Sequence, residues 1–144
     1  MNSNSPSISP AMQLLLNLAS VQARMLRKID AQLSAHGISF TEFMVMHHLY
    51  QAPNYTLRRV DLADSVSLTA SGVTRLLLPM EKIHLIEKEQ NPRDARVSLV
   101  RLSDAGIALL QDALVSFENS ASNLTSGLDN SQIEQLDQLM AHIR

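Results

Sequence analysis

The segment that most constrains the fold is residues 56–102, where two short helical patterns are followed by two strand patterns. The first helical pattern has an apolar face made by Leu57, Val60, Leu62, Ala63 and Val66. After it, Ser67 and Leu68 form a turn, and Thr69 has the residue type of an N-cap for the second helix. Two helices joined by so short a turn are typical of a helix-turn-helix motif.

The second helix of this motif has one apolar and one polar face. Its inward positions are Leu68, Val73, Leu76 or Leu77, and Met80, which leaves Ser71, Gly72, Thr74 and Arg75 on the outward N-terminal turns. Short side chains let a helix approach DNA closely, hydroxyls bond phosphates or base edges, and arginine bridges guanine. A solvated helix face carries the same residue types, so this pattern alone leaves both interpretations open.

The two strand patterns, residues 85–89 and 97–102, partly alternate apolar and polar side chains, as strands with one buried face do. The loop between them contains an Asn-Pro turn signal, and Arg93 and Arg96 flank Asp94 at its tip. A cationic hairpin of this kind suits a narrow minor groove of DNA, whose negative potential attracts arginine. We interpret Arg96 as the inserted residue, Asp94 as its orienting partner and Arg93 as a second candidate. The alternative is an ordinary charged hairpin.

These stretches resemble the MarR family of bacterial winged-helix transcriptional regulators. The matching segments are residues 68–76, 80–82 and 91–103, and the most specific part is D-x-R at Asp94 to Arg96 with the L-S-x-x-G that ends at Gly106. The resemblance extends, more weakly, over roughly residues 10–143.

The resemblance implies a mostly α (α+β) fold, with a winged helix-turn-helix at residues 56–102 inside a domain of residues 11–144. We call residues 56–102 the reading head. The DNA-binding residues that the motif and the resemblance indicate together are Thr69, Ser71, Gly72, Thr74, Arg75, Arg93, Asp94 and Arg96.

Two positions depart from the usual pattern of the family, which commonly has glycine where Ser67 and His84 stand. Glycine accepts left-handed backbone geometry at little steric cost, whereas histidine adopts it less readily. We therefore expect the helix end at His84 to be slightly strained or differently closed, with no DNA-contacting candidate lost.

The segments outside the reading head predict helices that pair two chains. Residues 11–35 carry an apolar stripe of Leu14, Leu18, Val21, Met25, Ile29 and Leu33. After the hairpin, Ser103 is expected to cap a helix that ends near Leu124. A capping box at Ser131 to Glu134 is expected to begin a final helix with Ile133, Leu136, Met140 and Ile143 on one face. The resemblance implies that residues 11–36 and 103–144 form a homodimer interface, and residues 1–10 are expected to be a flexible tail.

A capping box at Ser39 to Glu42 predicts another helix to about Tyr50, and residues 56–57 are expected to add a third strand to the hairpin. In the family, a small molecule, often a phenolic or other aromatic acid, binds between the dimerisation helices and the reading head. By position, the corresponding crevice of this chain would be lined by His36, Phe40, Phe43, Met44 and His47.

Charge is distributed unevenly along the chain, although its net charge is only −2. Residues 56–101 carry eight cations and six anions, a net charge of +2, and the remainder carries four cations and eight anions, a net charge of −4. A modestly basic reading head on an acidic body is consistent with DNA binding, and the small number of cations predicts weak non-specific binding.

Other classes of function are disfavoured by what the sequence lacks. Without cysteine, the chain has no disulfide, thiolate metal cluster or thiol redox sensor. It has no G-x-S-x-G, phosphate-binding glycine loop or H-E-x-x-H motif, so we expect no enzyme, cofactor or metal site. Because it has no signal sequence or membrane-spanning run, we expect a cytoplasmic protein that does not contact membranes.

Two alternatives remain open beside the interpretation that we adopt, a homodimeric, ligand-responsive repressor that binds a pseudo-palindromic operator. Some members of the family are zinc sensors that use His and Glu. His47 and His48, near Glu42, are the densest such cluster, but adjacent helical residues point about 100° apart and do not easily bind one ion. The other alternative is a winged-helix protein-interaction module that does not read DNA.

Overall fold

The computed structural model describes residues 6–144, so the predicted flexible tail lies partly outside the described residues. Over residues 6–144 the chain forms six α-helices and three strands. In chain order they are α1 (Pro10–Leu33), α2 (Phe40–Gln51), β1 (Thr56–Arg58), α3 (Arg59–Ser65), α4 (Ala70–Lys82), β2 (Ile86–Asn91), β3 (Asp94–Leu102), α5 (Asp104–Leu124) and α6 (Asn130–Met140). The predicted mostly helical fold with a small β-sheet is confirmed.

The ends of the first two helices are set by local hydrogen bonds that the sequence predicts. A short 3-10 turn follows α1, and Gly37 ends it in the left-handed region at φ 75°. The expected capping box then starts α2, because Ser39 Oγ accepts from the Glu42 N–H at 3.1 Å and the Glu42 carboxylate accepts from the Ser39 N–H at 2.9 Å.

The helix-turn-helix is formed by α3 and α4. Thr69 caps α4 as predicted, its Oγ1 accepting from the Gly72 N–H. The predicted apolar face of the first helix is wrong at Val60, whose side chain is 57% exposed, and Leu57 lies in β1 instead of the helix. The reason is helical spacing, since Val60 lies about 200° around α3 from the buried Leu62.

The sheet is antiparallel with the strand order β1-β3-β2. The predicted third strand is confirmed, because Thr56 pairs with Arg101 and Leu57 with Val100. The predicted loop over residues 90–96 is too long. Hydrogen bonding of β2 continues to Asn91 and β3 begins at Asp94, with a register shift after Gln90. Arg96 therefore belongs to a strand, next to a tight tip.

The last two helices follow the sheet. Ser103 caps α5 as predicted, with its Oγ accepting from the Gly106 N–H at 3.0 Å. The predicted capping box of α6 is wrong. Asp129 is the cap and pairs reciprocally with Gln132, so Ser131 already lies in the first turn. An equally good cap residue two positions earlier uses the same three-residue spacing, and Ile143 falls beyond the end of the helix.

The buried core joins α1, α2 and α5 to the reading head. Its largest fully buried side chains are Leu33, Met46, Leu49, Leu62, Leu77, Met80, Ile86, Leu102, Leu110, Val45, Val73 and Val100. The stripe along α1 is divided, because Ile29 and Leu33 are buried while Leu14 and Val21 are about half exposed. Helix α6 has no buried residue. No helix within residues 6–144 combines the length and apolarity needed to cross a bilayer.

Candidate nucleic-acid interface

The first turn of α4 presents a cluster of small polar groups. Thr69 Oγ1 accepts from the Gly72 N–H at 3.1 Å and lies 3.2 Å from the hydroxyl of Ser71, whose side chain is exposed. On the opposite face, Val73 and Met80 are fully buried and fix the rotation of the helix about its axis. The open N–H groups and the dipole at such a helix start attract anions. The predicted residues Thr69, Ser71 and Gly72 are therefore together on this turn.

Thr74, one turn further, is less available than the sequence pattern suggests. Its Oγ1 accepts a hydrogen bond from Arg59 Nη1 at 2.8 Å and donates to the Ala70 carbonyl at 3.0 Å. A hydroxyl has one proton and two lone pairs, so only one acceptor position remains for a ligand. Arg59 is absent from the predicted site because it lies fifteen positions earlier in the chain, on another helix.

Half of the cations of the reading head are paired with carboxylates. Lys88 Nζ lies 3.5 Å from Glu81, and Arg101 Nη1 lies 3.7 Å from Glu89. The other two paired cations are Arg58, with Asp61, and Arg96, with Asp94. Within residues 6–144 the cations of the reading head that have no ion pair are Arg59, Arg75, Lys82 and Arg93. Uncompensated positive charge is thus placed at the start of α3, on α4 and at the tip of the hairpin.

The hairpin tip holds its two arginines differently. Asn91 Oδ1 accepts from the Arg93 N–H at 2.9 Å and shapes the turn. Asp94 accepts from the Arg96 N–H at 3.0 Å, from its Nε at 3.1 Å and from its Nη2 at 3.3 Å. The predicted pairing of Asp94 with Arg96 is present, and the Arg96 side chain is still 91% exposed. The hydrogen bonds from the Arg96 side chain, and secondly from its backbone N–H, lower the pKa of Asp94.

Both helices of the helix-turn-helix end on a residue with left-handed backbone geometry. Ser67 has φ 56° and His84 has φ 61°, the two positions where the sequence departs from glycine. The hydrogen bonds Leu68 N to Ala63 O at 2.9 Å and Leu85 N to Met80 O at 3.0 Å close the two ends in the Schellman pattern. The expected strain at His84 is therefore in its positive φ angle, while the end of α4 has the hydrogen bonds of an ordinary Schellman motif.

The end of α4 is fastened to α5 through Ser103. The carbonyls of His84 and Leu85 both lie within hydrogen-bond distance of Ser103 Oγ, and the Ser103 N–H donates to Leu85 O at 3.0 Å. Gly106 packs against the same carbonyl so closely that a Cβ there would lie 2.3 Å from Leu85 O. This junction joins the end of α4, the start of β2 and the first turn of α5.

Three of the five predicted effector residues, Phe40, Phe43 and His47, lie together in an aromatic cluster. The Phe43 ring centroid is 6.3 Å from those of Phe40 and His47. Phe117 of α5, absent from the predicted set, is 4.8 Å from Phe43 and 5.7 Å from Phe40. Phe43 is only 3% exposed, so its ring is covered by its neighbours.

Two further polar or flexible side chains complete this region. His36 Nε2 lies 2.7 Å from Ser116 Oγ of α5, and Met44 is partly buried beside the core. His47 and His48 have ring centroids 6.1 Å apart. Among the described residues, no three His, Asp or Glu side chains are grouped so that they could hold a metal ion.

The amino-acid sequence is similar to known regulators of transcription. A sequence model of the MarR family matches residues 38–98. The HTH-type transcriptional regulator MhqR of Bacillus subtilis is 24% identical over 132 residues, which are 89% of this chain and 90% of that protein. The transcriptional repressor MprA of Escherichia coli is 26% identical over 119 residues, 83% of this chain and 68% of MprA. Both relatives are regulators of transcription, which agrees with the class of function expected from the sequence.

Solved structures share the whole fold. A MarR family transcriptional regulator from Streptomyces coelicolor, in complex with DNA, superposes with a TM-score of 0.85 at 20% identity, over 97% of this chain and 89% of that one. A mutant of MarR from Escherichia coli complexed with operator DNA gives a TM-score of 0.85 at 22% identity, over 96% and 99% of the two chains. The arrangement of α3, α4 and the hairpin is therefore that of a winged helix-turn-helix.

Proposed function

We propose that this protein is a transcriptional regulator of the MarR family, whose sequence model matches residues 38–98, and that it binds a pseudo-palindromic operator as a homodimer and represses transcription from it. The observation that carries the proposal is the placement of uncompensated or exposed arginines on two neighbouring elements. Arg75 extends from the polar face of α4, and Arg96 extends from β3 beside the hairpin tip, held by Asp94. Cations on a recognition helix and on a wing suit adjacent grooves of one duplex.

In the proposed complex, α4 enters the major groove through Ser71, Thr74 and Arg75. The bidentate guanidinium of Arg75 suits the two acceptors of guanine. The wing reaches the flanking minor groove or its phosphates through Arg93 and Arg96. Two such units related by a dyad require half-sites about one helical turn, or ~34 Å, apart.

The second protomer is supported by apolar surface that one chain leaves uncovered. On α1, Leu14, Leu15 and Leu16 are each about half exposed or more, and Leu136 and Leu139 of α6 are equally open. Exposed large apolar side chains concentrated on two helices are typical of an interaction surface. We propose that a second copy of the chain covers them, through residues 11–36 and 103–144.

The proposed effector is a small aromatic or phenolic acid that binds beside the aromatic cluster and releases the operator. The partly exposed rings of Phe40 and Phe117 offer stacking partners, and His36 offers a polar group at the edge. The cluster joins α2 to α5, so occupation there would change how the reading head is set on the dimerisation helices. Ring-current shifts in NMR spectra would report binding of a ligand at the cluster. A ligand that binds there and leaves the operator complex intact would contradict this part of the proposal.

The experiment that tests DNA binding uses Arg96→Ala. Fluorescence anisotropy against the DNA immediately upstream of the protein's own gene should show a loss of about 1–3 kcal/mol in affinity and, for a phosphate contact, a salt slope smaller by ~1. Arg101→Ala is the matched control, because Arg101 lies on the same strand and is already paired with Glu89. Equal affinity of the Arg96→Ala variant and the wild type would favour a protein-interaction module.

A further inference from the structure

The positive charge of Arg59 lies at an unfavourable place in the fold. Arg59 is the first residue of α3, and the positive end of a helix dipole disfavours a cation there. Its neighbour Arg58 is neutralised, since its Nε and Nη2 donate to the Asp61 carboxylate at 2.8 and 3.0 Å. Within residues 6–144 no ion pair includes Arg59. Of these two consecutive arginines, Arg58 has its charge compensated by a carboxylate and Arg59 does not.

The guanidinium of Arg59 is held against the recognition helix. Its Nη1 donates to Thr74 Oγ1 at 2.8 Å, and Thr74 in turn donates to the Ala70 carbonyl, which fixes the rotamer of the hydroxyl. An arginine has five N–H donors, and this contact uses one of them. The side chain is partly buried, so the remaining donors have lost part of their water and favour an anionic acceptor.

We propose that Arg59 binds a backbone phosphate beside the major groove that α4 enters, and that Thr74 is the positioning residue that holds the arginine there. In a helix-turn-helix the first helix crosses the DNA backbone while the second lies in the groove, which places the start of α3 near phosphates. The inference rests on the proposed function and adds a contact that neither the sequence motif nor the wing supplies.

A phosphate contact has measurable consequences that a base contact lacks. It contributes equally to operator and unrelated DNA, and its removal lowers the salt dependence of binding by about 0.9 for each phosphate lost. Because Thr74 holds the arginine, removal of the Thr74 hydroxyl should weaken the same contact. Thr74 then affects affinity through Arg59 as well as through its own acceptor position.

The test compares Arg59→Gln with Arg58→Gln, which removes the same charge one position away. Binding is measured by anisotropy at several salt concentrations, on a duplex selected by the wild type from random-sequence DNA and on a scrambled duplex. We expect Arg59→Gln to weaken both complexes about ten-fold and to reduce the salt slope by ~1. We expect Arg58→Gln to change affinity less than about three-fold, because its charge is already compensated by Asp61.

A double-mutant cycle tests the role of Thr74. In the background of Thr74→Val, which keeps the shape and removes the hydroxyl, Arg59→Gln should cost clearly less than in the wild type. Thr74→Ser should restore the full effect. Additive losses would overturn the positioning role.

Three results would overturn the phosphate contact. The first is an Arg59→Gln variant with the same DNA affinity and the same salt slope as Arg58→Gln. The second is a loss of affinity by Arg59→Gln on the selected duplex alone, with a salt slope equal to that of Arg58→Gln. The third is a lowered melting temperature of Arg59→Gln together with an unchanged salt slope, because the loss of a purely structural arginine, through its hydrogen bond to Thr74, would produce both. If the wild type itself binds no duplex, the proposed function fails first, which distinguishes the two failures.

Discussion

The close packing around Gly106 determines how much an added side chain there should destabilise the fold. An alanine Cβ at this position would lie 2.3 Å from Leu85 O and 2.6 Å from Leu102 Cδ1. Real Cβ contacts under 3.0 Å are essentially absent, so α5 and the Leu85 carbonyl must separate by about 0.7 Å, the difference between 3.0 and 2.3 Å. The carbonyl also accepts from the Ser103 N–H at 3.0 Å, so this movement strains a hydrogen bond as well.

We expect Gly106→Ala to lower the free energy of unfolding by about 1–3 kcal/mol, the usual cost of overpacking. The greater helix propensity of alanine offsets at most about 1 kcal/mol of the loss. For a chain of this size each kcal/mol corresponds to roughly 2–4 °C in melting temperature. The assay is thermal and urea denaturation at one fixed protein concentration, because the proposed dimer formation would make stability concentration-dependent.

Two other glycines provide matched controls. A Cβ at Gly127 would meet no atom within 4 Å, and its backbone is not left-handed, so Gly127→Ala should be neutral or stabilising by up to about 1 kcal/mol. Gly37 has equal space but φ 75°, so Gly37→Ala should cost about 1 kcal/mol through backbone strain alone. If Gly106→Ala is as stable as Gly127→Ala, the close approach of α5 to Leu85 is not a feature of the protein.

Three further predictions concern other parts of the chain. Ser67→Gly and His84→Gly should each raise the stability by up to about 1 kcal/mol in thermal denaturation, since both residues have left-handed φ, whereas Ser65→Gly inside α3 should lower it. The pKa of Asp94 is lowered, so its pairing with Arg96 should persist from pH 8 to pH 5 and be lost only as the pH falls through that lowered pKa; an NMR titration midpoint at or above the ordinary 3.8 would contradict this. Leu15→Asp should convert the proposed dimer to monomer in analytical ultracentrifugation, while Val60→Asp, similarly exposed but outside both proposed interface segments, should leave it intact.

The helix starts could be predicted because each depends on residues close in sequence. Ser39, Thr69 and Ser103 all cap their helices by accepting from an N–H three residues later. The same rule misplaces the start of α6, because Asp129 and Ser131 offer the same spacing to Gln132 and Glu134, and the sequence does not rank them. Local rules therefore identify that a helix begins, and they become ambiguous where two caps overlap.

The parts of the candidate site that the sequence does not predict depend on contacts between distant residues. Arg59 reaches Thr74 across two helices, and Phe117 reaches Phe43 from α5, although periodicity indicates only that each lies on a helix. The one available signal for Arg59 was its charge at a helix start, where a cation is unfavourable. Val60 shows a different error. Its apolar side chain and approximate spacing assigned it to the buried face of α3, but it is exposed.

The junction at Ser103 would determine how a change among the proposed dimerisation helices reaches the DNA. Leu85 O accepts a hydrogen bond from the Ser103 N–H, and Gly106 packs on the same carbonyl. The first turn of α5 is therefore in close contact with the residues that follow α4. A displacement of α5 therefore moves the recognition helix with it, because bending the joint would break hydrogen bonds that are partly buried. Since Phe117 lies on the same helix and contacts α2, a molecule that enters the aromatic cluster would act on the reading head as a rigid unit. In the proposed dimer such a response would change the spacing between the two reading heads and leave the geometry of each head intact, and an operator of two half-sites would detect that change.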